Sequence, residues 1–414
     1  MRVLWFSLTP SCYEVVSNAG WIEALEKVVV SHLPDVELGI CFEYPENRPK
    51  EKRGRVAYYP LCLSSRYRRK HKLLDSPQER YNDLESGYLS VIEDFKPDVV
   101  HCFGTERWHY GLLSGKVNIP FVIHMMGFMN IYDMMDELVI HKSDYWKYYG
   151  YNPLKVWLTR RTWKSRKENQ ELERSEMSVN HYFMGRTEWD RSIVKYYSPE
   201  GKYFHCPEAI REEIYNARLR WSFKRDDCIK LVTIGNAGSL KGNEIMLRAA
   251  HLLKYQFKRD FKWVYTSDEE RMAISEKMAG IRHEDVNIQL VGRINAKQIA
   301  EQLCQAEFYV HPSIIDNSPN TVCEAQLMGI PVISTNAGGI PQLVEDGKTG
   351  FLYPYAEPHA LAFKIMELHN DEKLLKDVSQ NEWDMSHKRH DPQYLAERLH
   401  RIYKEVIAVY YHER

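Results

Sequence analysis

Two stretches of this chain bring together residue types that could handle an anion. In Ile234-Gly-Asn-Ala-Gly-Ser-Leu-Lys-Gly-Asn243 an apolar run ends in three glycines and a lysine, just before a helical pattern of Ile245, Met246, Ala249, Leu252 and Leu253. Such a turn can aim backbone N–H groups and an ammonium at a phosphate. The same glycines equally suit a β–α turn that binds nothing. The spacing is neither G-x-x-x-x-G-K-[ST] nor G-x-G-x-x-G. The second stretch runs from His311 to Val332 and reads as a strand end, a polar loop, a helix and the next strand. Pro319 to Thr321 resemble a helix start, so Asn320, Thr321 and Val322 would present open N–H groups, with Glu324 in the first turn or so. Taken singly, Glu324 is as well explained by the helix dipole and Asp316 by a turn.

The elements that would carry these residues follow from short apolar runs, each closed by Gly, Pro, Ser or His and followed by helical patterning. In the first half these are Val3 to Leu8, Asp98 to Phe103 and Pro120 to Met125. In the second they are Lys230 to Ile234, Lys262 to Thr266, Asn287 to Val291, Phe308 to His311, Pro331 to Thr335 and Gly350 to Tyr353. The alternation predicts an α/β protein with parallel sheets. In such sheets ligands bind beyond the carboxyl ends of the strands. The two candidate loops and a third, Asn336 to Phe351, all follow strands and so could face one ligand.

At 414 residues the chain is long enough for two or three domains. Its 56 Lys+Arg against 57 Asp+Glu remove the global footprint of a nucleic-acid binder. Eight scattered cysteines lack C-x-x-C or zinc spacing and read as reduced core residues. No secretory leader and no apolar run of about 18 residues is present, which points to the cytoplasm. The polar stretch Glu212 to Asp227 reads as a solvated hinge, placing a boundary near residue 215. Pro392 to Tyr410 reads as an amphipathic helix, with Leu395, Leu399, Ile402, Tyr403 and Val406 on its apolar stripe.

The segment Asp316-Asn-Ser-Pro-Asn-Thr-Val-Cys-Glu324, continuing to Pro331-Val-Ile333, resembles the acidic E-x7-E signature of retaining family 4 glycosyltransferases, in particular a subgroup that builds bacterial surface polysaccharides. The resemblance implies the GT-B architecture: two Rossmann-like, doubly wound domains facing a cleft, with a C-terminal helix crossing back to the N-terminal domain. Residues 1–212 with helix 392–414 would bind the acceptor, and residues 213–391 the nucleotide sugar. By the same resemblance Glu324 would hold the ribose hydroxyls and Asp316 would lie near the donor sugar. Gly238, Lys241, Asn320, Thr321 and Val322 would meet the diphosphate or sugar. Where the family has an arginine the chain has Asn236, so the missing charge would come from Arg293 or Arg186. Asp316 is one methylene shorter than the usual glutamate.

The first half resembles the family through Asn18-Ala-Gly-Trp-Ile22, whose Gly20 would approach the diphosphate, and through blocks containing Glu106 and Arg186. Those two residues would face the acceptor. The family's histidine slot is Met126 here, and His124, two residues earlier on the same strand face, is the candidate for a catalytic and acceptor-contacting role. A structural histidine is the alternative. Lys241, Asp316 and His124 form the implied catalytic set.

Lys142 to Lys167 holds eight Lys/Arg and one acidic residue, interleaved with Trp146, Tyr148, Tyr149, Tyr151, Trp157 and Trp163. With Arg66 to Lys72 it could rest on an anionic membrane at the inner face, or simply be solvated helix. No nucleic-acid partner is expected. The implied reaction moves a sugar, with retention, from a nucleotide-diphosphate sugar, UDP-sugar foremost, to a hydroxyl of a glycan or lipid-linked glycan. It calls for no metal and no cofactor beyond that co-substrate. A nucleotide-sugar epimerase, a phosphorylase on the same architecture, or a non-catalytic sugar-nucleotide binder remain as alternatives.

Overall fold

The computed structural model describes residues 1–14, 20–73, 75–141, 144, 146, 147, 150 and 152–412. The chain divides into two compact units. The first comprises Met1–Asp133, Tyr151–Ala209 and Asp391–Arg414, and the second Met134–Gly150 and Ile210–His390. The division thus falls at 209/210 rather than 212/213, and 134–150 groups with the second unit.

Among the described residues the first unit holds an eight-stranded sheet: β1 (Arg2–Ser7), β2 (Glu37–Glu43), β3 (Glu51–Arg53), β4 (Val56–Leu61), β5 (Val99–Phe103), β6 (Phe121–His124), β7 (Tyr182–Gly185) and β8 (Lys202–His205). Its order is β3-β4-β2-β1-β5-β6-β7-β8, parallel apart from the antiparallel β3 edge. β1 shows why the sequence folds this way. Val3 and Trp5 enter the core on one face, Leu4 and Phe6 the core on the other, so the strand is apolar from Val3 to Phe6. The terminal helix Pro392–His412 buries Leu395, Leu399, Ile402, Tyr403 and Val406 in the same core as Trp5, Trp21 and Phe103.

The second unit carries β9 (Ile229–Thr233), β10 (Phe261–Tyr265), β11 (Ile288–Leu290), β12 (Phe308–His311), β13 (Val332–Thr335) and β14 (Phe351–Tyr353). Every recorded pairing is parallel, in the order β11-β10-β9-β12-β13-β14. The expected solvated hinge at 212–227 is corrected by this unit's packing. Ile214 and Trp221 are core residues, and Trp221 donates from Nε1 to the Ala306 carbonyl at 2.9 Å and from its backbone N to the Met328 carbonyl at 2.8 Å. The charges of the stretch concealed its two apolar anchors. Among the described residues no helix is long and apolar enough to cross a membrane.

Candidate functional site

In the second unit, the loop after β9 passes through a 3-10 turn, Ser239–Lys241, into the helix Asn243–His251. Gly242 at the junction has φ +67°, and a Cβ there would stand 1.8 Å from the Pro312 carbonyl oxygen. Only a glycine lets this loop lie so close to the segment after β12, to which Leu240 is also tied by accepting from Ile314 N at 2.8 Å. The loop's amides are less open than their glycines suggest. Gly235 N donates to Thr266 Oγ1 (2.9 Å), Ala237 N to Ser267 Oγ (2.9 Å) and Gly238 N to Asn243 Oδ1 (3.3 Å). Lys241 is exposed, and its Nζ lies 2.6 Å from Asp316 Oδ2.

Asp316 is the centre of the arrangement. Although burial works to raise its pKa, Lys241 and His311 hold the carboxyl well below the usual range. His311 Nε2 lies 3.5 Å from the same oxygen, and its Nδ1 is 3.2 Å from Tyr309 Oη. Burial lowers the His311 pKa, with Asp316 acting against it. Tyr309 in turn donates to Thr321 Oγ1 at 2.7 Å. The third loop serves as a buttress: Gly339 N donates to the Asp316 carbonyl at 2.9 Å, and a Cβ on Gly338 (φ +59°) would come within 2.1 Å of that oxygen.

The helix Asn320–Met328 begins after Pro319. Val322 N is already bonded to the Pro319 carbonyl at 3.0 Å, so the open donors of this first turn are Asn320 and Thr321 rather than all three. Asn320 Oδ1 is buried without a hydrogen-bond partner. Glu324 is 3% exposed and accepts from Arg211 Nε at 2.6 Å through Oε1, while Oε2 has no partner. Burial raises its pKa, opposed by Arg211. Arg293 is exposed on the loop after β11, where Gly292 N donates to the Ser267 carbonyl at 3.1 Å. Ser267 thus ties the Arg293 loop to Ala237. Asn236 is exposed.

In the first unit Gly20 caps the helix Trp21–His32 with an ordinary φ of −77°, and a Cβ there would meet nothing within 4 Å. Its neighbours Asn18 and Ala19 lie outside the described residues, as do Lys142, Tyr148, Tyr149 and Tyr151 of the basic stretch. Arg186 is buried, its guanidinium carbon 4.2 Å from the Trp21 ring centroid. Glu106 accepts from Gly127 N through Oε1; Oε2 has no partner, and burial raises its pKa. His124 is buried at the end of β6, with Nδ1 3.1 Å from His101 Nε2. The helix Pro153–Val179 carries exposed Leu154, Trp157, Arg160, Arg161, Lys164 and Lys167.

Sequence reasoning gave no role to Arg211, His311 or His101, and placed Tyr403 only on the apolar stripe of its helix. Arg211 lies 113 positions from Glu324 and Tyr403 lies 302 from His101, separations that leave no local pattern.

Residues 229–371, within the second unit, match the model of the glycosyl transferases group 1, and the two-unit α/β chain has the GT-B architecture of solved glycosyltransferases. Sucrose-phosphate synthase from Thermosynechococcus elongatus superposes with a TM-score of 0.72 at 14% identity, covering 99% of each chain. HepE of Anabaena, solved with UDP and glucose, gives 0.65 at 12% identity, covering 97% of this chain and 98% of that one. Among curated relatives, alpha-D-kanosaminyltransferase of Streptomyces kanamyceticus is 24% identical over 47% of this chain and 50% of its own. The amylovoran biosynthesis glycosyltransferase AmsK of Erwinia amylovora is 24% identical over 44% and 46%. The chain spans about half the length of these two. An uncharacterized glycosyltransferase of Methanocaldococcus jannaschii is 26% identical over 92% of this chain and 93% of its own. Together these matches support the group 1 glycosyltransferase class, with relatives in polysaccharide biosynthesis.

Proposed function

We propose that this chain is a retaining glycosyltransferase of the family 4 type, moving a sugar from a nucleotide-diphosphate donor to a hydroxyl of a glycan or lipid-linked glycan during surface-polysaccharide synthesis. The observation that carries the reading is the Lys241–Asp316 ion pair, with His311 Nε2 3.5 Å from the same carboxylate and Tyr309 bonded to Thr321, which brings the phosphate-type loop beside the start of the helix bearing Glu324. A cation and open helix-start donors of this kind stabilise the charge that grows on a departing diphosphate. Lys241 is neutralised by Asp316 until an anion competes for it. Glu324 has one oxygen fixed by Arg211 and one left to accept, a fit to the hydroxyls of a ribose. UDP is the nucleotide of choice, because the similarly folded HepE is named in complex with UDP and glucose.

The polysaccharide setting rests on the amylovoran relative. Retention follows a front-face course in which the leaving phosphate oxygen takes the acceptor's proton, so no carboxylate base is required. Cationic side chains and helix starts take the part of a divalent ion at the diphosphate. Peripheral binding to an anionic cytoplasmic membrane face would use Arg160, Arg161, Lys164 and Lys167 beside Leu154 and Trp157.

Incubation with a panel of UDP-, GDP-, ADP- and dTDP-sugars, with and without glycan acceptors, tests the proposal through nucleoside diphosphate release and the anomeric configuration of the product by NMR. Bound donors that all stay intact would leave a non-catalytic binder, and an inverted product would reject the retaining course.

A further inference from the structure

Four side chains from separate elements of the first unit form one buried line. Trp5 Nε1 donates to Tyr403 Oη at 3.0 Å, Tyr403 Oη lies 2.7 Å from His101 Nδ1, and His101 Nε2 lies 3.1 Å from His124 Nδ1. All four are at most 1% exposed, and His124 Nε2, the end of the line, is buried with no hydrogen-bond partner. None of these contacts alone says which way the protons face. The indole settles it, because tryptophan donates and never accepts. Tyr403 oxygen therefore receives the Trp5 N–H, and its own hydroxyl hydrogen needs an acceptor in a site without water access.

His101 Nδ1 is that acceptor. A neutral His101 then carries its hydrogen on Nε2 and donates it to His124 Nδ1, which leaves the His124 hydrogen on Nε2. Running the line backwards would leave the Tyr403 hydroxyl hydrogen buried and unmatched. A second proton on either ring would set two N–H groups, or an N–H and an O–H, head to head. Burial agrees with this, pushing His101 down to about 3 and His124 well below its ordinary range, with His101 and the Arg186 charge adding to the depression of His124. Burial also raises Tyr403 well above its usual value, Cys206 adding to it, so its hydroxyl stays protonated.

We infer that Trp5, Tyr403 and His101 form a one-way hydrogen-bond relay that fixes His124 as a neutral Nε2–H donor for an oxygen of the bound substrate. The substrate half of this inference rests on the glycosyltransferase reading. His124 is then a hydrogen-bond donor and not a general base, and Tyr403 and His101 are positioning residues acting through it.

The tautomers are read without any substrate, by long-range 1H–15N correlation on the full chain with 15N-labelled histidine, His101→Gln and His124→Gln serving to assign the two rings. Both should remain neutral Nε2–H forms from pH 5.5 to 8.5, and Tyr403→Phe should populate the Nδ1–H form of His101. An Nδ1–H tautomer, or titration of either ring within that range in the unaltered chain, overturns the relay without reference to activity. For the role in turnover, His124→Gln, which keeps an N–H near the Nε2 position, should retain at least a tenth of the rate with the donor that the panel identifies, and His124→Leu should fall at least tenfold further. Equal losses would overturn the donor role, whereas a panel in which no donor reacts would sink the glycosyltransferase reading and the substrate half with it, leaving the tautomers to stand or fall by the spectrum.

Discussion

Replacing Arg211 by Met would separate the structural share of the site from its chemistry. The pair it forms with Glu324 is short and shielded, with side-chain exposures of 23% and 3%. Breaking a buried pair by removing one partner costs about 3–5 kcal/mol, because an uncompensated charge is left behind. For a unit of this size each kcal/mol moves the midpoint by about 2–4 °C, so the second unit should melt on the order of 10 °C lower at pH 8. The loss must depend on pH. Burial already raises the Glu324 pKa despite Arg211, and without the guanidinium it rises further. A carboxyl whose folded pKa exceeds its unfolded value binds more protons when folded, so its contribution to stability falls as pH rises through that interval. The deficit of Arg211→Met should accordingly shrink from pH 8 to pH 5, and Arg211→Met with Glu324→Gln should recover much of it. Thermal melts at both pH values, followed by tryptophan fluorescence, provide the assay. A loss below about 1 kcal/mol at pH 8, or an equal loss at both pH values, would refute the reasoning.

Three further perturbations address the proposed chemistry. Lys241→Ala should lower turnover roughly a hundredfold while changing donor affinity far less, as stopped-flow turnover and calorimetry would report; proportionate losses in both would reject a transition-state role. Gly242→Ala forces an added carbon towards the Pro312 carbonyl and should unfold or strongly destabilise the second unit, whereas Gly20→Ala should leave melting within about 0.5 kcal/mol of the unaltered chain and lower turnover only, a contrast lost if both melt alike. Converting Arg160, Arg161, Lys164 and Lys167 to Gln should weaken co-sedimentation with phosphatidylserine vesicles by about a hundredfold or more at roughly 1 kcal/mol per charge, and unchanged sedimentation would dismiss membrane docking.

The strands of the second unit were legible because each is a short apolar run closed by a turn residue, and all six runs read from the sequence contain or overlap an observed strand. In the first unit β2, β3, β4, β7 and β8 escaped notice. Gly39 in β2 reads as a breaker, yet the space of its absent side chain is filled by Leu4 and Phe95, each 3.0 Å from where a Cβ would stand. Pro60 interrupts β4 in the same way. The acidic signature located Asp316 and Glu324, since a motif within one loop and helix turn is local. The ion-pair partners Lys241 and Arg211 lie 75 and 113 positions away, and the glycine loop misled for a related reason: three of its amides are taken by Thr266, Ser267 and Asn243, two of which lie 30 or more positions away.

Tyr403 and its neighbours on the closing helix have a consequence for biogenesis. The first unit takes its last structural layer from residues made after the whole of the second, so during translation the groove beneath Leu395, Leu399 and Val406 stays uncovered while some 180 intervening residues are polymerised, on the order of 10–40 s at ordinary ribosome speeds. Throughout that interval the nascent chain exposes an oily trough beside Trp5 and Phe103. A chaperone that shields such surfaces would be needed early, and its release would be timed by arrival of the tail.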